Sequence, residues 1–151
     1  MKTILLGVGD IVVSREPVIL KTILGSCVAV CLWDKKLRSG GLNHCLLPQD
    51  PGASEKPSNY CFSSVDMLVE TMIKQGSNKS NLCAKVFGGG KVMSVLSRSF
   101  NIGEENVSMA KKKLSGHGIP VISEFTLDNQ GLGLLFYTNT GKVFIRSLGT
   151  E

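Results

Sequence analysis

The sequence predicts an α+β or α/β fold built around one core, on three observations. Apolar residues make up 42% of the chain and fall in short runs. Seventeen glycines punctuate those runs in the manner of strands and turns. Only two stretches carry a helical pattern. A chain of 151 residues is the usual size of one domain, and such a domain buries roughly 68–70% of its unfolded surface, so a full core requires neither metal nor disulfide. No internal repeat or long linker divides it, and residues 1–151 read as a single domain.

Thr3 to Val8 and Val18 to Ile23 are short β-branched runs, with Arg15, Glu16 and Pro17 as a turn between them. Cys27 to Trp33 is a third strand, and "DKKLRSGG" turns the chain into a return strand at Leu42 to Leu47. Pro48 to Ser58, with three prolines, is a loop. Ser64 to Gln75 is a helix, because Val65, Leu68, Val69, Met72 and Ile73 share one face. Ser63 with Asp66 resembles a capping box, and Gly76 is placed to end the helix. Leu82 to Phe87 is a strand that ends at Gly88, Gly89 and Gly90. A second helix covers Glu104 to Ser115, with acids first, lysines last and Gly116 placed to stop it. Strands follow at Ile119 to Phe125, Leu132 to Thr138 and Lys142 to Leu148, the last two joined by a hairpin turn at Asn139 to Gly141. Several connections are too short for a crossover, so most pairs should be antiparallel.

The net charge of +5 favours acidic partners only modestly, because the lysines are scattered apart from Lys111 to Lys113. No basic patch interleaved with aromatics points to nucleic acid. The opening "MKTILLGVGD" is too short an apolar run for a signal peptide or a membrane span. A cytoplasmic location follows as an expectation, and with it five reduced cysteines, at 27, 31, 45, 61 and 83, rather than a disulfide framework. "GGGK" at Gly88 to Lys91 is not a phosphate loop, since Val92 stands where Ser or Thr is needed. His117 in "SGHGIP" is a capping or loop residue just past a helix end.

The pattern that could carry chemistry is "LGSCVAVCLWD" followed by "GGLNHCLLP". If the turn pairs Trp33 with Gly40, His44 falls opposite Ala29 and diagonally adjacent to Cys27, at about 7–8 Å between Cα atoms. Sliding the pairing by one residue would put the two on opposite faces. A thiol beside an imidazole is a nucleophile with its base, suited to acyl transfer from an amide or ester. Amide N–H groups near Cys27 could receive the oxyanion, and Gly25 gives the backbone room to turn. Thr22, Asn43 or a backbone carbonyl could orient His44. An activated Cys27 should then be alkylated well below the free-thiol pKa of about 8.5. The bland alternative is a small core cysteine, which is also the reading for Cys31, Cys61 and Cys83. A zinc site from Cys27, Cys31, His44 and Cys45 is disfavoured, because neighbours on a strand point to opposite faces and no CxxC pair exists.

These segments, with "AKVFGGG", "NIGEENV", "GIPV" and the closing "TGKVFIRSL", resemble in order the CheD chemoreceptor glutamine deamidases of bacterial chemotaxis over nearly the whole chain. The resemblance implies an α+β fold: a three-layer α/β/β sandwich with mixed, largely antiparallel sheets and two main helices, similar to the deamidase domain of cytotoxic necrotizing toxins. It places the nucleophile at Cys27 and the catalytic histidine at His44, with no cofactor or metal. The implied reaction converts glutamines on the cytoplasmic domains of methyl-accepting receptors to glutamates through a Cys27 thioester, and the same chemistry could cleave glutamate methyl esters. Three features depart from the family pattern. Lys21 stands where a threonine is usual, with Thr22 one place later, a step that turns a side chain to the other face of an extended strand. Tyr60, Cys61 and Phe62 replace Tyr-Ala-Asp. Glu124 leads into "FTLDNQGLGLLF" without the usual basic residue. A second reading follows from these departures: a binding module that docks receptors or a CheC-type response-regulator phosphatase.

Overall fold

The apolar run beginning at Cys27 is unbroken because its strand has no solvent face. The computed structural model describes residues 1–52, 55–91 and 101–149, so Ala53 and Ser54 of the expected Pro48–Ser58 loop lie outside the described residues. In chain order its elements are β1 (Lys2–Leu5), β2 (Ile11–Ser14), β3 (Val18–Leu24), β4 (Val28–Asp34), β5 (Ser39–Asn43), α1 (Cys61–Lys74), β6 (Leu82–Gly88), α2 (Ile102–Gly116), β7 (Val121–Thr126), β8 (Leu132–Tyr137) and β9 (Val143–Ser147). One sheet runs β1-β3-β8-β9 and the other β2-β5-β4-β6-β7. Only β1 with β3 and β6 with β7 pair in parallel, so both sheets are mixed and largely antiparallel.

The layers follow from the two faces of β4. Val28, Val30 and Leu32 join Val65, Leu68 and Met72 of α1 and Ala110 and Leu114 of α2 in one core. Ala29 and Cys31 face the other way and join Leu20, Leu24, Leu134 and Phe136 of the second sheet. The five-stranded sheet is therefore the middle of an α/β/β sandwich, buried on both faces, which explains its loss of apolar-polar alternation. The four-stranded sheet keeps that alternation: Val18, Leu20, Thr22 and Leu24 point inward, while Lys21 and Ile23 are exposed. Each fully buried Leu or Val on these faces contributes about 1.5–3 kcal/mol of transfer free energy, so the alternation specifies which way β3 faces.

Three local expectations are corrected. The first strand stops at Leu5, and a separate strand at Ile11–Ser14 enters the other sheet. The Asp10 carboxylate accepts the Gly7 N–H at 2.8 Å, and Gly9 is left-handed at φ 82°, which together turn the chain between sheets. Helix α1 begins at Cys61, without a side-chain cap, because the 3-10 turn Pro57–Asn59 feeds Tyr60 directly into it; Tyr60 C=O takes the Ser63 and Ser64 N–H groups. Helix α2 runs through Gly116 to its cap at His117, and Gly118 takes the left-handed conformation (φ 71°) instead. The decisive expectation holds: Trp33 pairs with Gly40.

Candidate active site

Twice near one end of the sandwich the chain crosses from the four-stranded to the five-stranded sheet, at Gly7–Asp10 and at Gly25–Cys27. The second crossing presents Cys27, and three consecutive carbonyls hold it. Gly90 N–H donates to Gly25 C=O at 2.8 Å, Asn106 Nδ2 to Ser26 C=O at 3.0 Å, and Gly89 N–H to Cys27 C=O at 2.8 Å. This gives the triple glycine a purpose. Gly88 (φ 104°) and Gly89 (φ 66°) are left-handed, and a Cβ on Gly88 would run into the Cys27 carbonyl. Gly25 is not among the left-handed glycines, so the sharp backbone geometry lies in the bracing turn rather than in the turn that carries the thiol.

The pairing of β4 continues past Asn43. Val28 and Cys45 exchange both backbone hydrogen bonds, at 3.0 and 2.9 Å. That register sets His44 opposite Ala29 and diagonal to Cys27, on the face turned toward the second sheet. Cys27 is 8% exposed and His44 4%, so both are nearly enclosed.

Thr22 crosses from the facing sheet to meet His44, its Oγ1 2.7 Å from Nδ1. Its hydroxyl also donates to Leu6 C=O at 2.9 Å. A hydroxyl has one hydrogen and Leu6 C=O can only accept, so at Nδ1 the imidazole must be the donor. His44 therefore carries its proton on Nδ1, and Nε2 is an unprotonated acceptor, buried and without a hydrogen-bond partner among the described residues. The step from Lys21 to Thr22 does not remove the threonine from the site. Leu20 and Leu24 set the phase of β3, and Thr22 shares their inward face. The Val18-Leu20-Thr22-Leu24 alternation in the sequence was the signal for this placement.

Burial pushes the Cys27 thiol up, partly offset by its own backbone N–H, and burial pushes His44 down, partly offset by the Asp10 carboxylate. Both directions favour a neutral thiol and a neutral imidazole in the free protein, on one sheet face with no hydrogen bond from Cys27 to His44 Nε2. These directions run against the expectation of a thiol activated for alkylation below the ordinary value.

Asn43 does not orient His44. Its side chain faces α1, accepting the Val30 N–H at 2.6 Å and donating to Ser64 Oγ at 2.9 Å. Cys31 is fully buried and its thiol is pushed far up by burial. Cys45 and Cys61 are joined in a disulfide with Cα atoms 5.2 Å apart, against the expectation of five reduced thiols and of Cys61 as a mere core position. The early start of α1 brings Cys61 over the helix-facing side of Cys45, within bridging distance. His117 lies away from this site, its Nε2 2.6 Å from Asp66 Oδ1 and its Nδ1 3.0 Å from Lys79 Nζ. Phe62 lies under the Lys113 ammonium at 4.0 Å, and Glu124 pairs with Lys111 at 2.9 Å. Among the described residues no group of three or more His, Cys, Asp or Glu side chains could hold a metal ion, and no helix is long and apolar enough to cross a membrane.

The family model described as CheD chemotactic sensory transduction matches residues 46–147. The chain belongs to the CheD family. The chemoreceptor glutamine deamidase CheD of Thermotoga maritima is 36% identical over 145 residues, covering 95% of this chain and 91% of the relative. The probable chemoreceptor glutamine deamidase CheD of Methanosarcina barkeri is 38% identical over 146 residues, covering 95% of each chain. A third relative, the probable chemoreceptor glutamine deamidase CheD 1 of Anaeromyxobacter dehalogenans, is 38% identical over 143 residues, covering 95% of this chain and 83% of its own. Coverage of 95% leaves too few residues over for these alignments to miss the segment from Thr22 to His44, which the family model's match begins just after. Among solved structures, the Bacillus licheniformis hypothetical protein YfiH aligns with a TM-score of 0.48 at 18% identity, over 80% of this chain and 51% of that one.

Proposed function

We propose that this CheD-family chain is, over its whole length, a single deamidase domain that converts glutamine side chains on the cytoplasmic domains of chemoreceptors to glutamate, with Cys27 as nucleophile and His44 as base and then acid. The observation that carries this reading is the Thr22–His44 hydrogen bond, which leaves a buried basic nitrogen on the sheet face that also bears Cys27.

The chemistry follows from a neutral pair. As Cys27 Sγ attacks the amide carbon, its proton passes to His44 Nε2, so charge develops only as the carbon-sulfur bond forms. The imidazolium is stabilised by the Thr22 oxygen, which already accepts from Nδ1. When the tetrahedral intermediate collapses, His44 returns the proton to the amide nitrogen, the carbon-nitrogen bond breaks and ammonia leaves. Water, deprotonated by His44, then attacks the thioester; glutamate departs and the thiol regains its proton. A glutamate methyl ester would follow the same path with methanol as leaving group. The enzyme would work in the cytoplasm, where the receptor domains lie, a reducing compartment in which the Cys45–Cys61 disulfide would be open to reduction.

The docking-module reading rests on a displaced threonine and an altered C-terminal segment. With Thr22 bonded to His44, its first support is gone. The test is incubation with a receptor cytoplasmic fragment, reading glutamine-to-glutamate conversion by peptide mass spectrometry. Conversion by the parent protein and its loss in Cys27→Ala and His44→Ala support the proposal. No conversion by the parent protein, or undiminished conversion by Cys27→Ala, would overturn it.

A further inference from the structure

Asn106 is a fully buried polar side chain on α2 that takes no part in the chemistry above. Its Nδ2 donates to Ser26 C=O and to Leu46 C=O, both at 3.0 Å. Two carbonyls can only accept, so the orientation of the amide is unambiguous. Its Oδ1 lies 3.8 Å from Cys61 Sγ, a disulfide sulfur with no hydrogen to give. The two hydrogens of one amide thus tie the residue before Cys27 to the strand two residues after His44.

The Ser26 contact reaches further than its carbonyl. In a planar trans peptide the C=O of one residue and the N–H of the next point in opposite directions. Fixing Ser26 C=O inward on Asn106 therefore turns the Cys27 N–H outward, away from α2. The Gly90 bond to Gly25 C=O does the same for the Ser26 N–H. Two successive amides, those of Ser26 and Cys27, are thus turned away from Gly90 and Asn106 respectively, the kind of arrangement that receives the oxyanion of a tetrahedral intermediate.

We propose that Asn106 is a positioning residue for catalysis, aiming the Cys27 N–H as an oxyanion donor and holding the His44 strand at a fixed distance from the thiol turn. This rests on the acyl-transfer reading of the Cys27 site. Asn106 would never touch substrate; it acts through the Ser26–Cys27 peptide plane. Without its two donors that plane loses the bond to its own carbonyl and is held only by the flanking bonds to the Gly25 and Cys27 carbonyls. The nucleophile and base would remain, while the oxyanion would lose a preorganised partner, a change worth about 10²- to 10³-fold in kcat where single donors have been removed.

The test uses the whole chain as Asn106→Leu, which keeps the branched shape and removes both donors, and as Asn106→Ala, a smaller change in case the leucine variant does not fold. Deamidation of a receptor fragment is measured beside alkylation of Cys27 by iodoacetamide, quantified on the Cys27 peptide. Alkylation builds no oxyanion, so it reports the thiol alone. The expected result is a kcat about 10²-fold lower with KM little changed, and a Cys27 alkylation rate within about threefold of the parent. Unchanged kcat in either folded variant, or kcat and alkylation falling together, would overturn the proposal. Cys27→Ala is run alongside: if it still deamidates, the acyl-transfer reading itself fails, and if it is inactive while the Asn106 variants keep full kcat, only the inference about Asn106 fails.

Discussion

Replacing Thr22 by Val removes one hydroxyl and almost no volume, and it isolates what fixes the state of His44. Thr22 is fully buried and bridges Leu6 C=O at 2.9 Å and His44 Nδ1 at 2.7 Å. In Thr22→Val both lose that partner, and each orphaned buried group costs about 1–3 kcal/mol. Nε2 is itself buried and unpartnered among the described residues, so nothing then holds the proton on Nδ1, and the imidazolium that forms when His44 takes the Cys27 proton loses its oxygen partner at Nδ1. A hydrogen bond to a charged group is worth about 1.5–3 kcal/mol, which is about 10- to 150-fold in kcat. Thr22→Ser keeps the hydroxyl and should remain within a few-fold of the parent. The assay is glutamate formation on a receptor cytoplasmic fragment at saturating substrate, with urea unfolding to establish that each variant is folded. A folded Thr22→Val protein with parental kcat would refute the tautomer reasoning, because it would mean that His44 needs no acceptor at Nδ1.

Three further outcomes follow from the same structure. Because burial raises the Cys27 thiol, the pH midpoint for iodoacetamide labelling of that residue in the free protein should lie above the ordinary value of about 8.5; a midpoint below it would mean that a thiolate-imidazolium pair already exists at rest. The depressed His44 makes the unfolded chain bind more protons than the folded one below its ordinary value of 6.5, so stability should be fully present above that pH and fall as pH drops through the folded value, with urea midpoints of His44→Gln flatter over the same range. The Cys45–Cys61 disulfide closes a loop with a sequence separation of 16, for which chain entropy predicts about 3 kcal/mol; thiol counting under denaturing conditions should find two of the five cysteines blocked until reductant is added, and Cys61→Ser should unfold at correspondingly lower urea.

Much of this molecule was determined by the sequence alone. Short apolar runs and the helical spacing of Val65, Leu68, Val69 and Met72 indicate most of the elements, and strand parity puts Cys27 and His44 on one face once Trp33 pairs with Gly40, the register the structure has, because those features depend on neighbours a few residues apart. Sequence parity likewise put Cys45 on the face opposite to His44. What the tertiary structure decided is everything that joins the layers. Thr22 reaches His44 across the gap between two sheets. Asn106 reaches Ser26 across 80 positions of chain. Cys61 reaches Cys45 because α1 starts three residues earlier than its apolar pattern indicates. Ionisation belongs to that second class as well: the residue types suggest an activated thiol, but enclosure between two sheets raises Cys27 and lowers His44, and enclosure is a property of the packed layers rather than of any local pattern.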